Sequence, residues 1–335
     1  MRIALIAHGN VEIPPPAWGA VEGTIWQRKI RLEQLGHTVD VYNTPRIHEV
    51  VHSINRGRYD FAHCHNELFA WACNRYLRVP CAMTSHHGGW HRFARRRRAY
   101  ESFQYLFEET LESPANFVLS ERIRDVYVKN GYSGFLRVLP NAVETSEFRF
   151  AEQGNGKVLC LGAVTPRKRQ AWAARATGGR VPIDFVGPMR DPRFREDTTS
   201  KYLGVWDRAT LYDRLTDYSC LVLMSGSEAA PKVVLEALAA GLNVVVSSAC
   251  TANLTDEPFI TVLPDRRVKL RSSALVAALR QAVESNARHR PSIRSYAEQH
   301  LDYSHQIPRY LELIDAFRAQ CSRPSRWRRR RPVAR

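Results

Sequence analysis

The feature that most restricts the fold of this 335-residue chain is a repeated alternation. Short runs rich in Val, Ile, Leu and Phe are separated by amphipathic stretches of helical length. A first series covers Arg2 to Ala7, Thr38 to Tyr42, Asp60 to Cys64, Cys81 to Ser85, Asn116 to Ser120 and Phe135 to Leu139. A second covers Val158 to Val164, Ile183 to Gly187, Cys220 to Ser225, Asn243 to Ser248 and Phe259 to Leu263. Helices are expected between them at Val21 to Leu35, Arg97 to Leu111, Glu121 to Lys129, Ala209 to Leu215, Val233 to Ala240 and Ser273 to Glu284. Buried strands alternating with helices form parallel sheets covered on both faces. Between the two series, Pro140-Asn141 and the Gly154 to Gly156 segment break the pattern. The expectation is an α/β chain of two Rossmann-like, doubly wound domains, 1–145 and 146–302, facing a central cleft. Ligands of such sheets bind beyond the carboxyl ends of the strands.

Composition removes several classes. Apolar runs such as Cys220 to Met224 are far short of the roughly 18 residues that span hydrocarbon. Only Ile3 to Ala7 precede His8 as an apolar start, so no signal peptide is expected. The seven cysteines include no Cys-x-x-Cys pair and suit a reducing cytoplasm better than a disulfide framework. Lys plus Arg exceed Asp plus Glu by 49 − 33 = 16, with clusters at Arg95 to Arg98 and Ser322 to Arg335. Such a surface attracts phosphates of any kind, so nucleic acid, anionic lipid and nucleotides all stay open. Arg95 to Arg98 reads equally as a solvated helix face and as a peripheral membrane or acceptor contact. The basic tail, 321–335, is expected to be disordered.

The most informative segment runs from Ser225 to Ser248, SGSEAAPKVVLEALAAGLNVVVSS. A strand ends at Ser225, a loop carries Glu228, and a helix opens at Pro231, a residue favoured at a first helical position. The early amides, Lys232 and Val233, make an anion site. Gly241 stops the helix. Two carboxylates flanking a phosphate-binding helix start suit hydroxyls on either side of a pyrophosphate.

Glu228 and Glu236, spaced Glu-x7-Glu, resemble the donor motif of the family 4 glycosyltransferases of GT-B fold. Other segments resemble that family in order. They are the opening strand and Gly19-containing loop, DFAHCHN (Asp60 to Asn66), AMTSHHGG (Ala82 to Gly89), VLSERIRD, VLPNAVETSEF (Val138 to Phe148), LGAVTPRK, DFVGP and YLGV. The resemblance runs from Met1 to about Phe317. It implies a retaining hexosyl transfer from a UDP- or GDP-sugar to an acceptor hydroxyl, in glycan, glycolipid or glycoconjugate biosynthesis. It also implies a final helix, about 303–320, that returns to complete the first domain.

By this resemblance Glu228 contacts the transferred sugar and Glu236 the ribose. Lys168 meets the diphosphate, Lys232 and Val233 hold a phosphate, and Gly19 admits the donor from the first domain. His86, the third residue of Thr-x-His, matches the active-site histidine, with His87 the fallback. The family usually carries Arg where Ala163 stands; Arg167, Arg169 and Arg190 are the candidate replacements. Gly187 joins the donor loops. Pro231 replaces a common Gly and removes an amide that could touch the sugar. No Asp-x-Asp occurs in the chain, so a transferase needing no divalent metal and no further cofactor is expected. The acceptor stays open among glycan, lipid-linked and small-molecule hydroxyls, and the location is expected to be cytoplasmic, on or near a membrane face.

Two other readings compete. A basic nucleic-acid-binding module would use the Arg clusters but not Glu228, Glu236 and Lys168, so nucleic acid is not the expected partner. HEVVH, His48 to His52, fits a zinc pattern on a helix, with Glu67 as a third ligand. Against it stand Arg46 and the parallel-sheet pattern, which make a surface helix with two solvent-facing histidines the plainer account.

Overall fold

The computed structural model describes residues 1–17, 19–88, 101–197, 199–264 and 272–322. Arg95 to Arg98, Gly89 and the tail beyond Ser322 lie outside the described residues. The chain divides into two units, one holding Met1–Pro15, Gly19–Pro140 and the chain from Gln306 onward, the other Pro16–Trp18 and Asn141–His305.

The first unit runs β1 (Arg2–Ala7), α1 (Ala20–Gln34), β2 (Thr38–Asn43), α2 (Ile47–Arg56), β3 (Phe61–Cys64), α3 (Ala70–Tyr76), β4 (Cys81–Met83), α4 (Glu101–Leu111), β5 (Ala115–Val118), α5 (Glu121–Lys129) and β6 (Phe135–Val138). Its strands form one parallel sheet in the order β2-β1-β3-β4-β5-β6. The chain steps from β1 outward to β2, then back past β1 to β3. The switch point therefore lies between β1 and β3, whose carboxyl ends lead into His8 and His65.

The second unit runs β7 (Val158–Leu161), α6 (Gln170–Thr177), β8 (Ile183–Val186), β9 (Lys201–Tyr202), α7 (Arg208–Arg214), β10 (Cys220–Leu223), α8 (Lys232–Ala239), β11 (Asn243–Ser247), β12 (Ile260–Leu263) and α9 (Ser272–His300). Its sheet is parallel too, in the order β12-β11-β10-β7-β8-β9. Strand residues alternate between two buried faces: Val158, Cys160, Cys220, Val222 and Val245 on one, Leu159, Leu161, Leu221, Leu223, Val244 and Val246 on the other. Apolar residues at successive positions follow from that double burial. The switch point lies between β7 and β10, where pairing stops at Leu221↔Leu159. A last helix, α10 (Tyr303–Ser322), follows α9.

Three expectations need correction. The sequence pattern ends α9 near Glu284, but the helix continues to His300 with Pro291 inside it. The fully buried Arg290 anchors that stretch: it donates to Asn286 Oδ1 and to the carbonyls of Ala151, Thr216 and Tyr218 at 2.5–2.9 Å. These bonds outweigh the backbone bond that proline forfeits. Pro231 caps α8 instead of opening it; its φ of −72° and ψ of 110° leave Lys232 as the first helical residue. The expected strands omit the edge strand β9, Lys201–Tyr202, whose two residues are too few for an alternation signal.

Among the described residues no helix is long and apolar enough to cross a membrane. Cys64, Cys73, Cys81, Cys160, Cys220 and Cys250 are buried and unpaired, and Cys321 is exposed.

Candidate functional site

In the second unit the loops after β7 and β10 leave the sheet at its switch point. The β7 loop carries Arg167 and Lys168; the β10 loop carries Glu228 and leads into α8. These three side chains converge. Arg167 Nη1 lies 2.8 Å and Lys168 Nζ 3.7 Å from Glu228 Oε1. The Ser225 hydroxyl donates to the same oxygen at 2.8 Å, and the Ser247 hydroxyl fixes the Ser225 carbonyl at 2.6 Å. Arg167 also donates to the Ser227 carbonyl, and the Gly226 amide returns a bond to the Arg167 carbonyl at 2.9 Å. Two cations and one carboxylate are thus held by strand-end loops tied to each other through backbone.

Lys168 is placed by close backbone packing. Gly162 has φ +116°, and a Cβ there would lie 2.9 Å from Lys168 Nζ. Gly187, at φ +136°, would bring a Cβ within 2.4 Å of the Gly162 carbonyl oxygen. The Gly187 carbonyl takes the Tyr202 hydroxyl at 2.9 Å. Gly187 therefore shapes the floor under Lys168.

Among the candidates for the cation absent at Ala163, Arg167 is the one the structure sets on Glu228. Arg169 turns into left-handed geometry at φ 61° and caps α6. Arg190 is exposed on the loop after β8, its amide bonded to the Val164 carbonyl at 2.9 Å.

On α8 the first amides, Lys232 and Val233, precede any residue that could accept them within the helix. The Lys232 ammonium is turned toward the Tyr303 ring, 5.9 Å from its centroid, and the residue is buried. Glu236 is 7% exposed on the second turn. Among the described residues no hydrogen bond or ion pair engages its carboxylate, which leaves it open to a hydroxyl donor. α8 ends where Gly241, at φ +85°, returns its amide to the Leu238 carbonyl.

The first unit carries the remaining candidates. Gly19, at φ 153°, caps α1 and its carbonyl receives the Gly23 amide at 2.8 Å. His86 and His87 follow β4, both half-buried. His86 Nε2 lies 3.2 Å from Nδ1 of His65, and the two rings stack at 28°. His65 Nε2 in turn meets Nη1 of the buried Arg28 at 3.4 Å. Beside it, His63 bonds Tyr310 at 2.9 Å and Thr84 at 2.8 Å. Burial, with Arg28 and the neighbouring rings adding to it, holds His63 and His65 well below the ordinary imidazole range. Burial raises the Glu67 carboxyl, which accepts from the Ser85 hydroxyl at 3.1 Å.

Sequence reasoning assigns no role to Arg28, His63, His65 or Tyr310. The DFAHCHN motif marks both histidines; nothing in the linear pattern marks Arg28 or Tyr310.

His48 and His52 lie on the exposed face of α2, where the His48 ring packs edge-on against Trp71. Among the described residues no group of three His, Cys, Asp or Glu side chains could hold a metal, so Glu67 does not join them.

Residues 42–147 match the profile of Glycosyltransferase Family 4. No curated protein matches the chain in sequence. The fold is similar to that of sucrose-phosphate synthase from Thermosynechococcus elongatus, with a TM-score of 0.77 at 15% identity over 95% of this chain and 99% of that one. It is similar to AviGT4, a glycosyltransferase involved in avilamycin A biosynthesis, at 0.72 and 16% identity, over 95% and 98%. Anabaena HepE, solved in complex with UDP-glucose, scores 0.73 at 15% identity, over 94% and 100%. The fold is the GT-B fold of these structures, and residues 42–147 match a glycosyltransferase family within it. The sequence match to family 4 is carried by residues 42–147.

Proposed function

We propose that this glycosyltransferase moves a hexose from a UDP- or GDP-sugar to an acceptor hydroxyl with retention of configuration, in glycan, glycolipid or glycoconjugate synthesis on the cytoplasmic side. The observation that carries the donor assignment is the convergence of Arg167, Lys168 and Glu228 at the switch point, beside the start of α8. A diphosphate needs cations and amide donors; a sugar and a ribose need carboxylate acceptors. Lys168 and Arg167 supply the first, with the Lys232 and Val233 amides, and Glu228 and Glu236 the second.

Cleavage at an anomeric carbon passes through an oxocarbenium-like state, so stabilising the departing diphosphate is the larger task. In this reading Lys168 and Arg167 leave Glu228 for the phosphates as charge builds there, and Glu228 is released to the sugar hydroxyls. HepE, solved with UDP and with UDP-glucose, supports a nucleotide-sugar donor. His86 is proposed to assist the transfer, and no divalent metal is required. Retention comes from the family resemblance.

The test is thermal unfolding against a panel of UDP- and GDP-sugars with and without EDTA. One donor is expected to raise the midpoint by about 5 °C at saturating concentration. Glu228→Ala and Lys168→Ala are expected to abolish the response, EDTA to leave it intact. A wild type that no nucleotide sugar stabilises, or variants that respond as it does, would falsify the assignment.

A further inference from the structure

The hydrogen-bond directions in the first unit fix more than the position of His86. Arg28 reaches His65 from α1. A guanidinium has only donors, so the ring nitrogen that meets it, His65 Nε2, must be the acceptor. A neutral imidazole that accepts on Nε2 carries its proton on Nδ1. His65 Nδ1 is the atom that faces His86 Nε2, at 3.2 Å. His86 must then accept on Nε2, and its own proton sits on Nδ1.

The neighbouring histidine obeys a parallel rule. The Thr84 hydroxyl donates to the Phe117 carbonyl at 2.7 Å, so it accepts from His63 Nε2, and His63 Nδ1 receives the Tyr310 hydroxyl. Arg28 is 3% exposed and His65 2%, and the Arg28 guanidinium lies 4.5 Å from the centroid of the Tyr310 ring. Neither the cation nor the His65 ring can exchange its partner for bulk water without opening this core.

We propose that Arg28 and His65 are positioning residues that hold His86 as the neutral Nδ1–H tautomer. Nε2 is thereby engaged by the protein, and the His86 Nδ1–H becomes a donor of set direction. A buried arginine thus sets the proton position on a half-buried ring through one intervening imidazole. The catalytic consequence rests on the reading that His86 assists the transfer; the tautomer itself does not.

The experiment is nitrogen-15 NMR of imidazole-labelled full-length protein at neutral pH, His86 being assigned by its loss in His86→Ala, combined with steady-state kinetics. Wild-type His86 is expected to show a protonated Nδ1 and an unprotonated Nε2. His65→Leu is expected to give a mixture of tautomers and to lower kcat about tenfold with KM for the donor within about twofold. His65→Gln keeps an acceptor for Arg28 and a donor for His86, so it should retain the wild-type tautomer and a rate within about threefold. If His65→Leu does not fold, the wild-type spectrum and the His65→Gln variant decide. A wild-type His86 protonated on Nε2, or on both nitrogens, overturns the proposal, as does a His65→Leu spectrum identical to wild type. If His86→Ala turns over at the wild-type rate while wild-type His86 shows Nδ1–H, the reading of His86 as a reacting-site group fails and the tautomer assignment stands.

Discussion

Arg167 and Lys168 hold the same carboxylate from unequal surroundings. The Arg167 side chain is 48% exposed and that of Lys168 13%. Water screens the first strongly and the second little, so equal charges have unequal effects. Lys168→Met is expected to weaken donor binding about 100-fold, roughly 2.7 kcal/mol, and Arg167→Met only about fivefold, roughly 1 kcal/mol. Titration calorimetry with the donor found by the panel checks the order; a larger loss at Arg167 would mean that screening does not set it. At this scale the family resemblance singles out Glu228 and Lys168, whose side chains the structure places 3.7 Å apart. It does not separate Arg167 from Arg169, since the two diverge once Arg169 enters left-handed geometry. Arg28 is illegible for a related reason: in a helix with polar residues on every side, only the packing tells which one turns inward.

Elements place these side chains, and two of the loops do so by near contact of their backbones. Gly187→Ala would set a Cβ 2.4 Å from the Gly162 carbonyl oxygen while keeping φ at +136°. Gly36 has φ +81°, but a Cβ added there would meet nothing within 4 Å. The expected cost is about 3 kcal/mol at Gly187, against about 1 kcal/mol of backbone strain alone at Gly36, measured by urea unfolding. Equal costs would show that the loops yield. Arg290→Leu makes a second test. It removes the donor to three carbonyls inside the second unit, and a loss of about 3 kcal/mol is expected, with a shift of the urea midpoint at unchanged slope. A change below about 1 kcal/mol would show that water replaces the guanidinium. Burial already lowers that guanidinium to about 10, a sign of the desolvation its bonds offset. This arginine also explains why α9 outruns its sequence pattern. A proline at 291 reads as a stop on local propensity, and only long-range contacts reverse it. The strand ends carrying the Lys168 and Glu228 loops were legible because doubly buried parallel strands are continuous apolar runs; the two-residue β9 was not.

At the scale of the molecule, the two strand series were legible as two parallel sheets, whereas the strand orders were not. Apolar runs report that a strand is buried, not which neighbour it takes, so the switch points at β1/β3 and β7/β10 emerge only from pairing. In the first unit that topology buries two imidazoles, His63 at 0% and His65 at 2% exposure, and this couples its folding to pH. Both have folded-state values well below the ordinary 6.5. Below pH 6.5 the unfolded chain therefore binds protons that the folded unit refuses, and stability falls as pH falls, by up to about 1.4 kcal/mol per pH unit for each histidine. Above that value both states are neutral and the contribution is flat. Glu67 works in the opposite sense, because its raised folded value makes the native state the better proton acceptor, so it cannot supply the loss. Asp40 and Asp302, lowered from 3.8, add their losses only in more acidic solution. Urea midpoints between pH 7.5 and 5.5 should thus drop steeply for the wild type, and less for a His63→Asn, His65→Gln double variant that keeps polar partners without the titration. Parallel slopes in the two proteins would show that these imidazoles are not the groups that resist protonation.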